Sequence, residues 1–271
     1  MVTLAPSADA EMRQQDSLSN FGTNATAVSG ALGDTALNVL RRALFRFDVA
    51  AVVPTNATVE AVTVQFNVVK IPSTPASSTF GLHRLLQSWS ETEVCWSSRI
   101  GFVAWNSPGA SGANDAVATP SSTVFVSGIN TYAFTSTTDL VADVQAWVNT
   151  PSANHGWLLK SASEDTGYTA RHFATRENGT DAPVLTIQYS APTPPAPAAP
   201  PNLFGLALVG DQIRFSFNAQ SNRTYTVEFR DSLTATDWGT LTNIPALPAD
   251  TTLHVTNPIS STERYFRART P

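Results

Sequence analysis

Chemistry-bearing side chains are densest between positions 89 and 96, in Trp89-Ser90-Glu91 and Glu93-Val94-Cys95-Trp96. Indole rings stack on the apolar faces of pyranose rings, and carboxylates bond sugar hydroxyls, so this stretch has the makings of a sugar platform. It equally suits a plug, with both tryptophans filling one end of a β-sandwich and Glu91 held by backbone or arginine. The plug is the favoured reading, because large aromatics are most often core. Trp105 is the leading ligand candidate. It sits in a Gly/Ser/Asn/Pro-rich stretch, residues 101–122, with no evident core to fill, and binding residues concentrate on loops. Tyr168 and His172, close to Arg171, are second choices for carbohydrate contacts. Arg176-Glu177-Asn178-Gly179 reads as an ion pair running into a turn. Asp9, Glu11 and Glu177 are candidate ligands for a structural calcium ion, which needs six to eight oxygens at about 2.3–2.6 Å.

Nothing comparable marks a catalyst. The chain has no G-x-S-x-G elbow, no H-E-x-x-H and no phosphate-cradling glycine loop. His83, His155, His172 and His254 are scattered, and Cys95 lies between Val94 and Trp96, where a buried thiol is inert. A glycosidase would need two of Glu91, Glu93, Glu164, Asp165 and Glu177 brought together, and sequence does not supply that. The expectation is a protein without enzymatic activity.

Charge narrows the partners. A net charge of -5 and a pI near 5.3 argue against nucleic acid and against electrostatic binding to anionic lipid. The single cysteine rules out a disulfide within the chain. No apolar run reaches the ~20 residues of a membrane span, so membrane insertion is not expected. Met1-Val2-Thr3-Leu4 leads straight into strand-like sequence, and the expectation is an exported protein whose leader has been replaced by a start Met.

The elements that must position these groups are strands. In Arg41–Val49, Ala43, Phe45, Phe47 and Val49 point one way and Leu44, Arg46 and Asp48 the other. After a turn at Pro54-Thr55-Asn56, residues 60–69 repeat the alternation with Val62, Val64, Phe66 and Val68 on one side. Further strands are expected at 80–86, 124–126, 130–134, 156–161, 169–175 and 183–189. The stretch around Asn20-Phe21-Gly22 and Gly30 reads as polar loop. One helix is expected over Asp139–Val148, with Leu140, Val144, Trp147 and Val148 on one face and Thr138 or Asp139 as its cap. Trp147 and Trp157 are read as core. A Pro/Ala-rich linker, 191–201, follows. It separates a large antiparallel β-sandwich domain, 1–190, from a small second β-sandwich, 202–271, with strands at 213–217, 224–229, 252–255 and 265–269. The fold class is therefore all-β, a sandwich with one short helix plus a second small sandwich.

Six features in order along residues 1–190 carry a family resemblance. They are Ala8-Asp9 followed by Asn20-Phe21-Gly22; Leu44-Phe45-Arg46-Phe47-Asp48; Ala61 to Asn67; Trp89-Ser90-Glu91 followed by Val94-Cys95-Trp96; Asp139 to Trp147 followed by Asn154-His155-Gly156; and Arg176-Glu177 followed by Ala182-Pro183-Val184-Leu185. Together they resemble the DNRLRE-domain (disaggregatase-related) family of extracellular jelly-roll modules, some of them classed as carbohydrate-binding. The chain departs from that pattern at Cys95, where the family usually has Thr. Thr224 to Glu228 and Tyr265-Phe266-Arg267 resemble the fibronectin-type-III-like modules that end many secreted bacterial proteins. The resemblance implies a non-catalytic extracellular module that binds polysaccharide through surface aromatics and hydrogen bonds. The alternative is a structural subunit of a fibre, surface layer or adhesin, assembling with identical subunits by β-strand addition.

Overall fold

The computed structural model describes residues 1–35, 37, 39–191 and 200–270. The chain divides into two compact units, Met1–Thr193 and Pro194–Pro271. Most of the stretch expected to be a linker, 192–199, lies outside the described residues.

The first unit contains β1 (Val2–Leu4), β2 (Ala8–Arg13), β3 (Thr26–Ala31), β4 (Leu40–Arg46), β5 (Thr58–Lys70), β6 (Ser78–Arg84), β7 (Ser98–Ile100), β8 (Val103–Ala104), β9 (Ser122–Val126), β10 (Asn130–Phe134), α1 (Thr138–Asn149), β11 (Trp157–Ser161), β12 (Arg171–Ala174) and β13 (Val184–Ser190). All pairings are antiparallel. One layer runs β1-β13-β5-β12-β3, with β10 also on β5; the other runs β4-β11-β6-β9, with β2 on β4. β3 joins the layers, pairing first with β12 and then, at Gly30 and Ala31, with β4. Gly30 turns this corner at φ +112°, where a Cβ would lie 2.6 Å from the Thr169 carbonyl oxygen. Small residues fill this strand, Thr26-Ala27-Val28-Ser29-Gly30-Ala31, and its weak pattern is why it reads as loop in the sequence.

The period of two on β4 and β5 becomes the main core. Ala43, Phe45, Phe47 and Val49 meet Val62, Val64, Phe66 and Val68 there. The Phe66 ring centroid lies 4.7 Å from that of Phe45, 5.7 Å from Phe134 and 6.0 Å from Phe173, all edge-on. Each such fully buried ring is worth about 1.5–3 kcal/mol in transfer free energy. α1 lays Leu140, Val144, Trp147 and Val148 on the same core, with Trp147 and Trp157 centroids 4.4 Å apart. Its cap is Thr137, one residue before the expected pair: Oγ1 accepts from Leu140 N at 3.0 Å.

The outward face of β4 is covered too. Residues 85–116 fold over it, and Trp89, Val94, Trp96, Trp105, Ala110 and Ala116 pack with Ala10, Met12, Leu44 and Leu158 into a second core. β7 and β8 form a hairpin inside that segment. β1 pairs with β13 of its own sheet, Val2 opposite Ile187 and Leu4 opposite Leu185.

The second unit contains β14 (Leu203–Val209), β15 (Gln212–Ala219), β16 (Tyr225–Arg230), β17 (Gly239–Ile244), β18 (Thr251–Pro258) and β19 (Tyr265–Arg269). Two three-stranded sheets, β14-β15-β18 and β17-β16-β19, share a core of Phe215, Phe217, Ala219, Tyr225, Val227 and Val255. β14 and β17 are strands that the alternation did not single out. Both units are all-β sandwiches. Among the described residues no helix is long and apolar enough to cross a membrane.

Candidate functional site

The outward face of β9, β6, β11 and β4 that the covering segment leaves bare forms a trough. On β9, Val126 faces the main core, so Phe125 points away from it. The register places Phe125 opposite Thr79, Thr123 opposite Gly81, and Gly81 opposite Lys160. Directly opposed residues share a face. Phe125, Thr79, Thr123, Gly81 and Lys160 therefore line one surface, with His83 further along β6. Phe125 is 61% exposed. The trough encloses about 240 Å³ and adjoins a second hollow of about 150 Å³, both lined by His83 and Lys160. Gly81 is its floor. A Cβ there would meet Pro120 Cβ at 2.8 Å and His83 Nε2 at 3.1 Å, so a side chain would collide with the trough's own lining.

Two cations reach this face and their situations differ. Arg42 is spent: it donates through Nε to Glu164 Oε1 at 2.8 Å and through Nη2 to Oε2 at 2.7 Å, and also bonds the Gly109 carbonyl. The Lys160 side chain has no hydrogen bond or ion pair among the described residues, which leaves its ammonium available. His83 donates through Nδ1 to the Val117 carbonyl at 3.0 Å. Burial, reinforced by the charges of Lys160 and Arg42, lowers its pKa and keeps the ring neutral near pH 7. Glu164 is the one carboxylate on the trough wall.

A larger hollow, about 450 Å³, lies among Ser7, Arg46, Asp48, Ser88, Asn154 and His155. Its one phenyl ring, Phe47, is fully buried, and the ring that remains partly exposed there is the His155 imidazole.

The expected contact residues are placed differently. Trp105 was expected to stand bare on a loop; it is 4% exposed, packed in the second core, and its Nε1 donates to the Cys95 carbonyl at 3.0 Å. The covering segment is apolar enough to make a core with the sheet, which the loop reading did not foresee. Arg171 is fully buried: its two terminal nitrogens donate to the carbonyls of Tyr168, Ala170, Ala76 and Val126, and its unpartnered Nε is shut away from a ligand in solvent. Tyr168 is 39% exposed in a turn at φ +59°. His172 is half-buried on β12, between Val28 and Lys70. Neither lines the trough. Phe125 was legible, since the Val124-Phe125-Val126 alternation turns it outward; Gly81, His83 and Lys160 were not, because only the register assembles them.

The acidic candidates separate as well. Glu11 is buried and bonded to Arg13 Nε at 2.8 Å, with Arg41 at 3.6 Å, and it stands apart from the other two. Asp9 and Glu177 do converge, and Glu91 joins them, with one oxygen from each lying within 4.8 Å of the others. Arg176 ties the group: Nη2 to Glu91 Oε2 at 2.6 Å, Nε to Glu177 Oε1 at 2.8 Å, and its backbone N to Asp9 Oδ2 at 3.0 Å. Asp9 N donates to Glu91 Oε1 at 2.8 Å. Burial pushes the Asp9 carboxyl up to about 7, helped by the nearby Glu177 and Glu91 charges. Burial is the largest influence on Glu177 and acts to raise it, but hydrogen bonds from Arg176, its own backbone N–H and Thr175, together with the Arg176 charge, outweigh it and hold the carboxyl below the usual range. Trp89 and Trp96, 3% and 6% exposed, plug the second core as the structural reading had it.

An all-β sandwich with a shallow trough and an exposed ring on the same face suits a surface-binding module. The sequence profile of carbohydrate-binding module family 96 matches residues 1–189. The chain belongs to that family, and its first unit is a carbohydrate-binding module. No curated protein matches the chain.

Proposed function

We propose that the first unit is a non-catalytic, extracellular polysaccharide-binding module that seats its glycan along the trough over Gly81. The observation that carries this is Phe125, standing exposed on the same face as that floor, one cross-strand row from the line of Thr123, Gly81 and the unpaired Lys160 ammonium. A pyranose face stacks on the ring, Thr79 and Thr123 take hydroxyls, and Lys160 takes an anionic substituent. The reading therefore favours glycans that carry carboxylate or sulfate over neutral ones. Absence of catalysis is supported by the single trough carboxylate, Glu164, being held by Arg42, whereas glycoside hydrolysis uses two. The order of the six motifs supports a DNRLRE-type module over 1–190, and the two facing three-stranded sheets support a fibronectin-III-like adjunct over 202–271. Assembly by strand addition is not favoured: β1 is already paired with β13.

Calorimetric titration against uronate-containing, sulfated and neutral polysaccharides tests this. The intact chain should bind an anionic polymer, and Lys160→Gln should weaken that binding about tenfold, the worth of one hydrogen bond to a charged group. No heat from any polymer, or an unchanged affinity in Lys160→Gln, overturns it.

A further inference from the structure

We infer that Asp9, Glu91 and Glu177 form a divalent-cation site, of the oxygen-liganded kind that takes Ca2+, and that the ion pins three distant parts of the chain together.

The argument starts from an orphan. Asp9 is 1% exposed, and its Oδ1 has no hydrogen-bond partner, while Oδ2 takes the Arg176 backbone N–H. A buried carboxylate oxygen without a partner costs about 1–3 kcal/mol or more, so native structures rarely leave one bare. This oxygen belongs to the residue whose neighbours are two further carboxylates, with one atom of each within 4.8 Å of the others. Oxygens bound to one calcium at about 2.3–2.6 Å span at most roughly twice that distance, so three such atoms fit a single coordination sphere.

Charge points the same way. Three carboxylates face one guanidinium, so with all three ionised the local sum is about -2, and a divalent ion cancels it. Arg176 does not take the ion's place. Its Nη1 is drawn off to the Ser7 carbonyl at 2.7 Å, and its remaining bonds use Glu91 Oε2 and Glu177 Oε1. Asp9 Oδ1 is left without a donor. Every donor is a carboxylate oxygen, which suits a hard cation over zinc or copper. Remaining positions would be filled by water.

The placement gives the ion a task. Asp9 lies on β2, Glu91 on the segment that builds the second core, and Glu177 on the turn after β12. Asn20 already fastens that segment, donating to the carbonyls of Glu91 at 2.7 Å and Val94 at 2.8 Å. An ion at Asp9 would lock the same corner, so folding and ion binding are linked.

The test is a calorimetric titration of the full chain with CaCl2, after chelation and dialysis, alongside thermal unfolding in chelator and in 1 mM Ca2+. Saturable binding near one ion per chain is expected, with Kd of about 10⁻⁴–10⁻³ M as for extracellular modules. At tenfold excess over Kd the folding equilibrium constant should rise about elevenfold, raising the melting temperature. Asp9→Asn, which keeps the shape, should weaken binding at least tenfold, and its melting temperature should no longer respond to Ca2+. Absence of both heat and melting shift in the unaltered chain would overturn the site, leaving an arginine-closed network. So would Asp9→Asn binding as tightly as the unaltered chain. The readout needs no glycan, so it stands or falls separately from the trough.

Discussion

Replacing Phe125 by alanine separates surface from scaffold. A phenylalanine presents roughly 200 Å² when fully exposed. At 61% exposure about 120 Å² is open, and a sugar ring stacked on one face covers about half of that, ~60 Å². At about 25 cal/mol per Å² the loss is ~1.5 kcal/mol, close to tenfold in affinity. Little stability is at stake. The side chain faces away from the main core on the edge strand β9, so Phe125→Ala should change the unfolding free energy by no more than ~1 kcal/mol. The assay is calorimetry on the best anionic polymer, paired with urea unfolding. A Phe125→Ala chain that binds as well as the unaltered one refutes the stacking argument. So does one that loses binding only because it has unfolded.

Two further perturbations probe the scaffold and the wall of the trough. Trp105→Ala should cost about 3–5 kcal/mol in urea unfolding, because it empties the second core and strands the Cys95 carbonyl, while the folded fraction keeps its glycan affinity within about twofold; a stable variant that loses binding would return Trp105 to the site. His83 has a pKa below its ordinary 6.5, so the fold favours the neutral ring: its stabilising contribution is full above about pH 6.5 and is lost as pH falls through the lowered value. The difference in stability between the unaltered chain and His83→Gln should accordingly be flat above pH 7 and shrink between pH 6.5 and 5, whereas parallel unfolding curves across that range would contradict it.

How much was legible depends on whether the information is local. Alternation along Ala43, Phe45, Phe47 and Val49, and along Val62 to Val68, is a property of consecutive residues, and those side chains do meet in one core. The same holds for α1, whose apolar face follows from a 3.6-residue period, and for the tryptophans at 89 and 96 as plugs. β3 was missed because Gly30 and small side chains carry little pattern, and its partners on β12 and β4 are far away in sequence.

The functional surface divides along the same line. Composition and period settled an all-β scaffold, because burial of aliphatic side chains every second residue forces that outcome. Which residues stay outside was decided by how residues 85–116 close over the sheet. They bury Trp105, leave Phe125 bare and bring Glu91 to Asp9, while strand register sets Gly81 beside Lys160 and the turn after β12 adds Glu177 to the acidic pair. Those neighbours are brought together by pairing across long loops, and no short-range pattern in a sequence encodes a distance of that kind.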